Sequence, residues 1–133
     1  MQVPTELSYD ECRSLLESGE MGRVAVSTPL GPRIIPVNYT IAESSVIFRT
    51  TPYSVLGTYA RNTNLAFEVD HVESDHHGWS VVAVGRANMV ENLDELREIR
   101  AEWDPKPWAG GKRSMYFRMP WHELTGRRLS VQA

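Results

Sequence analysis

Hydrophobic and polar positions alternate with a two-residue period along much of this chain, which is the pattern of β-strands. In "VIFRT", for example, Val46, Phe48 and Thr50 share one face and the residues between them share the other. The same period predicts two strands around the turn "TPLGP" and further strands in "NLAFEVD", "GWSVVAVGRANMVE", "SMYFRM" and "LTGRRLSV". About seven strands in so short a chain, mostly in hairpins, favour a closed or nearly closed antiparallel barrel.

Three short helices interrupt this strand pattern. The first lies in "LSYDECRSLLESG", where Ser8 and Glu11 have the spacing of a capping box. The second is expected over residues 52–61, because Thr51 is a good N-cap and proline is favoured at the first helical position. The third lies in "NLDELREIRAEW", with Asn92 as its N-cap.

Length and composition predict a single domain over residues 1–133 of an ordinary globular protein. The chain has 41% hydrophobic and 23% charged residues and a formal net charge of −3, which gives no general attraction to nucleic acid or anionic lipid. No apolar stretch approaches the ~20 residues of a membrane helix, and the start "MQVPTELSYDE" is too polar for a secretory signal. Cys12 is the single cysteine, which excludes an internal disulfide and favours the cytoplasm.

Polar donors gather where the third predicted strand gives way to a helix. Arg49 offers a two-pronged donor that matches phosphate geometry, and Thr50, Thr51 and Ser54 add hydroxyls within one turn. The first turn of a helix also attracts anions. A phosphate group would suit this corner. The alternative is ordinary helix capping, with Arg49 paired to a carboxylate such as Glu68.

A proline interrupts the strand "RIIPVNYTI". Because Pro36 donates no ladder hydrogen bond, this strand is expected at a sheet edge or bulged. A bulge would leave backbone groups free to face the rim of a flat heterocycle, although a proline that merely protects an edge strand explains the sequence at least as well. Trp79, just after Gly78, could stack on such a ring or belong to the core.

Two polar loops carry further candidate residues. "DHVESDHHG" places His71, His76 and His77 among carboxylates, and we interpret it as a solvated acidic loop and not as a metal site. "PKPWAGGKR" is irregular, basic and rich in glycine, so that Trp108 suits a lid or a partner contact.

The ordered set "RIIPVNYTI", "VIFRTTPYSVLGTYARNTNLAFEVD" and "GWSVVAVGRA" resembles the pyridoxamine 5′-phosphate oxidase-like family of FMN-binding split barrels. The resemblance covers most of the chain, from the first helix to "ELTGRRL". It implies a mainly β fold, a six- to seven-stranded antiparallel split β-barrel with about three short helices. It also implies a homodimer that holds two FMN molecules at the subunit interface.

The resemblance also implies a set of cofactor-binding positions. These are Ile35, Pro36, Val37, Asn38, Arg49, Thr50, Thr51, Ser54, Val55 and Trp79. The first four would lie along the isoalloxazine ring, the next three would hold the phosphate end, and Trp79 would approach from the other subunit. Ser54 and Val55 occupy the place where many relatives have a serine and a lysine, so one charge contact to the phosphate is missing here.

The function that the resemblance implies is an FMN-dependent oxidoreductase acting on a small organic substrate. Relatives that make vitamin B6 carry a basic C-terminal segment that "WHELTGRRLSVQA" does not match, so we do not expect that activity. Two alternatives stay open: a non-catalytic protein of the same fold that binds or carries a flavin, a deazaflavin or haem, and a dimeric structural protein whose ligand site has decayed. No catalytic side chain is predicted, because a bound flavin would carry the redox chemistry.

Overall fold

The computed structural model describes residues 2–73, 77–106 and 115–131. The strands are β1 (Gln2–Glu6), β2 (Met21–Thr28), β3 (Gly31–Ala42), β4 (Ser45–Thr50), β5 (Thr63–Val72), β6 (Gly78–Met89) and β7 (Met115–Val131), and the helices are α1 (Tyr9–Ser18), α2 (Val55–Tyr59) and α3 (Leu93–Glu102). The sheet order is β1-β7-β4-β3-β2-β5-β6, and β6 also pairs with β7. This closes six antiparallel strands into a barrel with β1 as an extra strand, which confirms the predicted fold.

Alternate residues of the strands fill the barrel, as the two-residue period predicted. Phe48 and Phe117 stack there with ring centroids 5.3 Å apart, and Tyr39 meets Phe67 edge to face at 4.7 Å. A second, smaller cluster joins α3 to the outer face of β3, β4 and β7, and its buried members are Ala42, Ile47, Val90, Ile99 and Tyr116. The segment that follows α3 is therefore held against the outside of the barrel.

The partner of β3 changes part-way along its length. Residues from Gly31 to Asn38 pair with β2, whereas pairing with β4 begins at Tyr39, opposite Phe48. The part of β3 around Pro36 thus has a strand on one side, as the edge prediction required. Of the two alternatives the edge is present and the bulge is not, because Pro36 stays in unbroken register opposite Arg23.

Two of the three predicted helix starts are confirmed. Ser8 accepts a hydrogen bond from the Glu11 backbone nitrogen at 3.1 Å in a complete capping box, and Asn92 caps α3. The second prediction is wrong, since α2 begins at Val55 and its N-cap is Ser54, not Thr51. Within the three described ranges, no helix has the length and apolar character needed to span a membrane.

Two strand predictions also need correction. The sequence pattern gave no sign of β1, which pairs with the end of β7. The two last predicted strands form one strand, β7, that runs through Pro120. The pairing of β6 with β7 shifts register between Val84 and Gly85, close to Pro120. Such a β-bulge lets the ladder continue past a residue that does not fit the regular pattern.

Tyr39 links the barrel interior to α1 at the point where β3 changes partner. Its side chain is 3% exposed, and its hydroxyl donates to the Leu16 carbonyl oxygen at 2.5 Å. The hydroxyl also lies against Gly19, where an added Cβ would clash with it. Burial raises the pKa of Tyr39 to about 12, with the Gly19 backbone acting in the opposite direction.

We predict that Tyr39 makes the protein sensitive to alkali. Because the phenol titrates near 10 when unfolded and near 12 when folded, stability should fall as the pH rises from 10 to 12, by about 2–3 kcal/mol. Tyr39→Phe should lose about 1–3 kcal/mol at neutral pH, since it leaves a buried carbonyl without its donor, and should show a flatter alkaline decline. Urea unfolding at several pH values measures both effects, with Tyr53→Phe as a control at a 99% exposed tyrosine. Equal alkaline slopes for Tyr39→Phe and wild type would contradict this assignment.

Candidate functional site

The candidate site lies where β3 and β4 separate. Tyr39 and Phe48 form the last pair between the two strands, so Asn38 and Arg49 are the first residues beyond it. Neighbouring strands lie ~5 Å apart, which brings the predicted ring-binding segment of β3 close to the predicted phosphate-binding end of β4. The structure therefore juxtaposes two groups of residues that the sequence singled out separately.

The four predicted ring-binding residues of β3 have different surroundings. Val37 is buried in the barrel core and Ile35 packs partly against it. Pro36 is exposed. The Asn38 side-chain nitrogen donates to the Glu20 carbonyl oxygen at 3.1 Å. Pro36 and Asn38 alternate with the two core residues, so they face outward from the barrel.

Arg49 lies on this outer face in contact with the segment that follows α3. Its Nη1 is 3.2 Å from Asp104 Oδ1 and 3.5 Å from the Pro105 carbonyl oxygen. The guanidinium also lies over the Tyr116 ring, 4.8 Å from its centroid. The alternative interpretation, in which Arg49 pairs with a carboxylate, is therefore right about the kind of partner, but that partner is Asp104 and not Glu68. Glu68 pairs instead with Arg23, at 2.7 Å.

The hydroxyls of the corner form a separate group. Thr50 is 4% exposed, and its Oγ1 lies 2.6 Å from Ser54 Oγ. Ser54 Oγ also accepts from the Gly57 backbone nitrogen at 2.9 Å and lies 2.7 Å from the Thr51 carbonyl oxygen. Thr50 and Arg49 thus point to opposite faces, and the serine hydroxyl already caps α2.

Three further predictions concern more distant residues. Val55 is 36% exposed at the first position of α2. Trp79 pairs with His71 of β5 and Arg128 of β7, and two strands separate β6 from β3 in the sheet. The structure of this chain alone does not bring Trp79 to the other candidate residues. His76 and Trp108 lie outside the described residues.

A cavity of about 520 Å³ adjoins the outer face of β3. Its lining comes from the end of α1, from β3 and from the segment after α3, and consists of Glu17, Gly19, Glu20, Asn38, Tyr39, Thr40, Ile41, Trp103, Asp104 and Lys106. Its size is that of many small-molecule sites. Because Asn38 and Asp104 both line it, the cavity connects the predicted ring-binding segment of β3 with the partner of Arg49.

Sequence reasoning missed Asp104 and its neighbours. Asp104 Oδ1 accepts from the Tyr116 hydroxyl at 2.9 Å, and the Thr40 hydroxyl donates to the Trp103 carbonyl oxygen at 2.5 Å. Burial raises the pKa of Tyr116, and its hydrogen bond to Asp104 adds to that rise. The local signal was an Asp-Pro pair just after a capped helix, which by itself indicates a turn.

Comparison with known proteins gives the family. A family model described as pyridoxamine 5′-phosphate oxidase matches residues 8–128. The chain belongs to that family. In the described ranges, no group of three or more His, Cys, Asp or Glu side chains is placed to hold a metal ion.

One curated protein and several solved structures resemble the chain along most of its length. The uncharacterized protein Rv0080 of Mycobacterium tuberculosis is 32% identical over 97 residues, which is 68% of this chain and 64% of that protein; the match thus spans less than two thirds of that relative. A FAD binding protein from Mycobacterium smegmatis is 28% identical, covering 95% of this chain and 98% of its own with a TM-score of 0.74. A protein of unknown function from Corynebacterium diphtheriae, DIP1874, is 30% identical, covering 96% and 98% with a TM-score of 0.79.

We predict that the corner does not tolerate a side chain at Gly57. A Cβ there would meet the carbonyl oxygen of Thr51 and come within 2.7 Å of that of Pro52. Gly57→Ala should therefore shift α2 away from the end of β4 and cost about 1–3 kcal/mol in the free energy of unfolding. Urea unfolding measures the change, with Thr58→Ala at the exposed neighbouring position as the control. Equal free energies of unfolding for the two variants would contradict the prediction, because they would mean that α2 accommodates the added methyl group without loss of stability.

Proposed function

We propose that this protein binds a flavin where β3 and β4 separate and that it acts as a flavin-dependent oxidoreductase on a small organic substrate. The observation that carries the proposal is the open side of β3 between Gly31 and Asn38, which ends beside Arg49. Membership of the pyridoxamine 5′-phosphate oxidase family supports it. So does the similarity to a solved structure of a FAD binding protein.

The residues of β3 fit the ring of a flavin. The side of this segment away from β2 has no strand partner in the described part of the chain, and such an edge presents backbone donors and acceptors. The polar rim of an isoalloxazine ring carries both kinds of group. Pro36 removes one donor from the edge, and its exposed ring provides a flat apolar contact.

The residues at the proposed phosphate-binding end are of types that bind phosphate, but they offer little net positive charge. Arg49 is the guanidinium at the end of β4, and Asp104 already neutralises it at 3.2 Å. Val55 stands where a lysine would add a second positive charge. We retain FMN as the proposed cofactor on the basis of the resemblance, and FAD is the second candidate because a similar solved structure is that of a FAD binding protein.

When bound, a flavin supplies hydride and electron transfer. The chain's own part is to bind and orient the ring along β3, to hold the phosphate end at Arg49 and to exclude water from the reacting face. We assign no described side chain to proton transfer.

We also propose the cytoplasm as the location, because Cys12 is a buried free thiol, which suits a reducing compartment.

A homodimer is part of the proposal, and an exposed apolar row on the barrel supports it. Ile34, Ala25, Ala66 and Val84 are successive partners across β3, β2, β5 and β6. Ile34 is 69% exposed, and the two alanines and Val84 line a shallow groove of about 300 Å³. We propose that a second copy covers this row and brings its Trp79 towards the flavin.

We predict that the purified protein binds FMN or FAD and that Arg49 contributes to binding. Chromatography of the cofactor released on denaturation identifies it, and titration of the apoprotein with FMN, FAD and a deazaflavin measures affinity. Arg49→Ala should weaken FMN binding at least tenfold, whereas Arg118→Ala, which removes an equally buried arginine of β7, should have little effect. A protein that binds no flavin under these conditions would refute the proposal. Reduction of the bound flavin by NADH or NADPH would separate an oxidoreductase from a carrier.

We predict that Ile34→Glu converts the protein from dimer to monomer. A carboxylate in the centre of an apolar contact loses its hydration without a partner, so the dimer constant should weaken by at least tenfold. Light scattering after size-exclusion chromatography measures the mass at several concentrations. Leu93→Glu is the matched control, because Leu93 is also 69% exposed but lies on α3. A monomeric wild type, or equal dimerisation of both variants, would rule out this surface.

A further inference from the structure

Asp104 already pairs with Arg49, which is the cation proposed to bind the phosphate of the cofactor. The Arg49 side chain is 22% exposed and that of Asp104 is 37% exposed, so the ion pair is partly screened from water. Charge pairs in such positions are worth more than fully exposed ones. An anion that binds Arg49 from the site must therefore compete with a carboxylate that belongs to the chain itself.

Asp104 is held in place by groups other than Arg49. Its Oδ1 also accepts from the Tyr116 hydroxyl at 2.9 Å. The residue before it is tied to β3, because the Thr40 hydroxyl donates to the Trp103 carbonyl oxygen. The carboxylate is thus placed by β3 and β7, and its position beside the end of β4 does not depend on the ion pair alone.

Asp104 also stands between Arg49 and the cavity beside β3. The cavity of about 520 Å³ is lined by Asp104, Asn38 and Lys106 among others, whereas Arg49 is not part of its lining. A phosphate that enters from the cavity meets the carboxylate before the guanidinium. Asp104 therefore screens the positive charge on the side that faces the cavity.

We propose that Asp104 is a specificity-determining residue, an internal carboxylate that the phosphate of the cofactor must displace from Arg49. This inference rests on the proposed function. Its consequence is that the ion pair reduces what the phosphate adds to affinity in the wild-type protein, so that FMN is favoured over riboflavin by less than Arg49 without Asp104 would allow. Removal of the Asp104 charge makes the site selective for phosphorylated flavins.

The experiment compares Asp104→Asn with a matched variant, Glu95→Gln. The pair formed by Arg118 and Glu95 has a 3.0 Å contact and side-chain exposures of 23% and 37%, nearly those of the Arg49 pair, and it lies outside the cavity lining. Fluorescence titrations of each apoprotein give dissociation constants for riboflavin, FMN and FAD. The quantity of interest is the ratio of the riboflavin constant to the FMN constant.

The expected result is a rise in this ratio of about tenfold or more in Asp104→Asn and no change in Glu95→Gln. In an Arg49→Ala background, Asp104→Asn should raise the ratio by no more than about threefold, since only direct repulsion between carboxylate and phosphate is then removed. An unchanged ratio in Asp104→Asn would overturn the proposal, because the carboxylate would then not compete with the phosphate for Arg49. A lowered ratio would overturn it too, because it would mean that Asp104 orients Arg49 for the phosphate.

A second measurement tests the inference without a flavin. Inorganic phosphate and pyrophosphate should raise the melting temperature of Asp104→Asn more than that of wild type or Glu95→Gln, because ligands that bind the folded state stabilise it. If no variant binds a flavin but this added stabilisation is present, the proposed function fails and the role of Asp104 stands. If Asp104→Asn gains no stabilisation from either anion, the role of Asp104 is refuted as well.

Discussion

The structure of the candidate site depends on the change of partner in β3. A strand has two edges for hydrogen bonding, and β3 uses one for β2 up to Asn38 and the other for β4 from Tyr39 onward. Within residues 2–73, 77–106 and 115–131, this arrangement leaves one side of β3 from Gly31 to Asn38 without a strand partner and sets Arg49 at the border of that opening. Tyr39 fixes the place of the change, because its buried hydroxyl is bonded to α1.

The outer layer of the protein determines the electrostatics of this opening. α3 packs on β3, β4 and β7, and two ion pairs join its ends to the sheet, one at Glu95 and one just beyond the helix at Asp104. The first is a structural tie remote from the cavity. The second reaches the edge of the cavity, so the same packing that holds α3 also sets the charge presented to a ligand. The proposed role of Asp104 would link fold stability to ligand preference in these few residues.

Features encoded by neighbouring residues could be predicted from the sequence. The strand period, the capping box at Ser8 and the Asn92 cap all act within four residues, and each is present in the structure. The start of α2 was mispredicted because Thr51 and Ser54 are both suitable caps. Only the folded chain shows that Ser54 Oγ accepts a hydrogen bond from the Gly57 backbone nitrogen.

Features that depend on distant residues escaped the sequence analysis for the same reason. Asp104 lies 55 positions from Arg49, and no local pattern couples them. The division of Arg49 and Thr50 between two faces follows from strand alternation, but the partner on each face is a matter of tertiary packing. The path of β7 through Pro120 also depends on another strand, since the compensating register shift lies beside Gly85 of β6.

The pairing of β1 with the last part of β7 has a consequence for how the molecule forms. Residues 2–6 are hydrogen-bonded to residues 127–131, so β1 cannot pair until the last part of β7 has been synthesised. Ladders between such remote segments form slowly, because a long loop of chain must be closed before any contact compensates for it. The β1–β7 ladder is therefore expected to form late in folding, and until it forms the strand edges that it covers stay unpaired, which favours aggregation of the incomplete barrel.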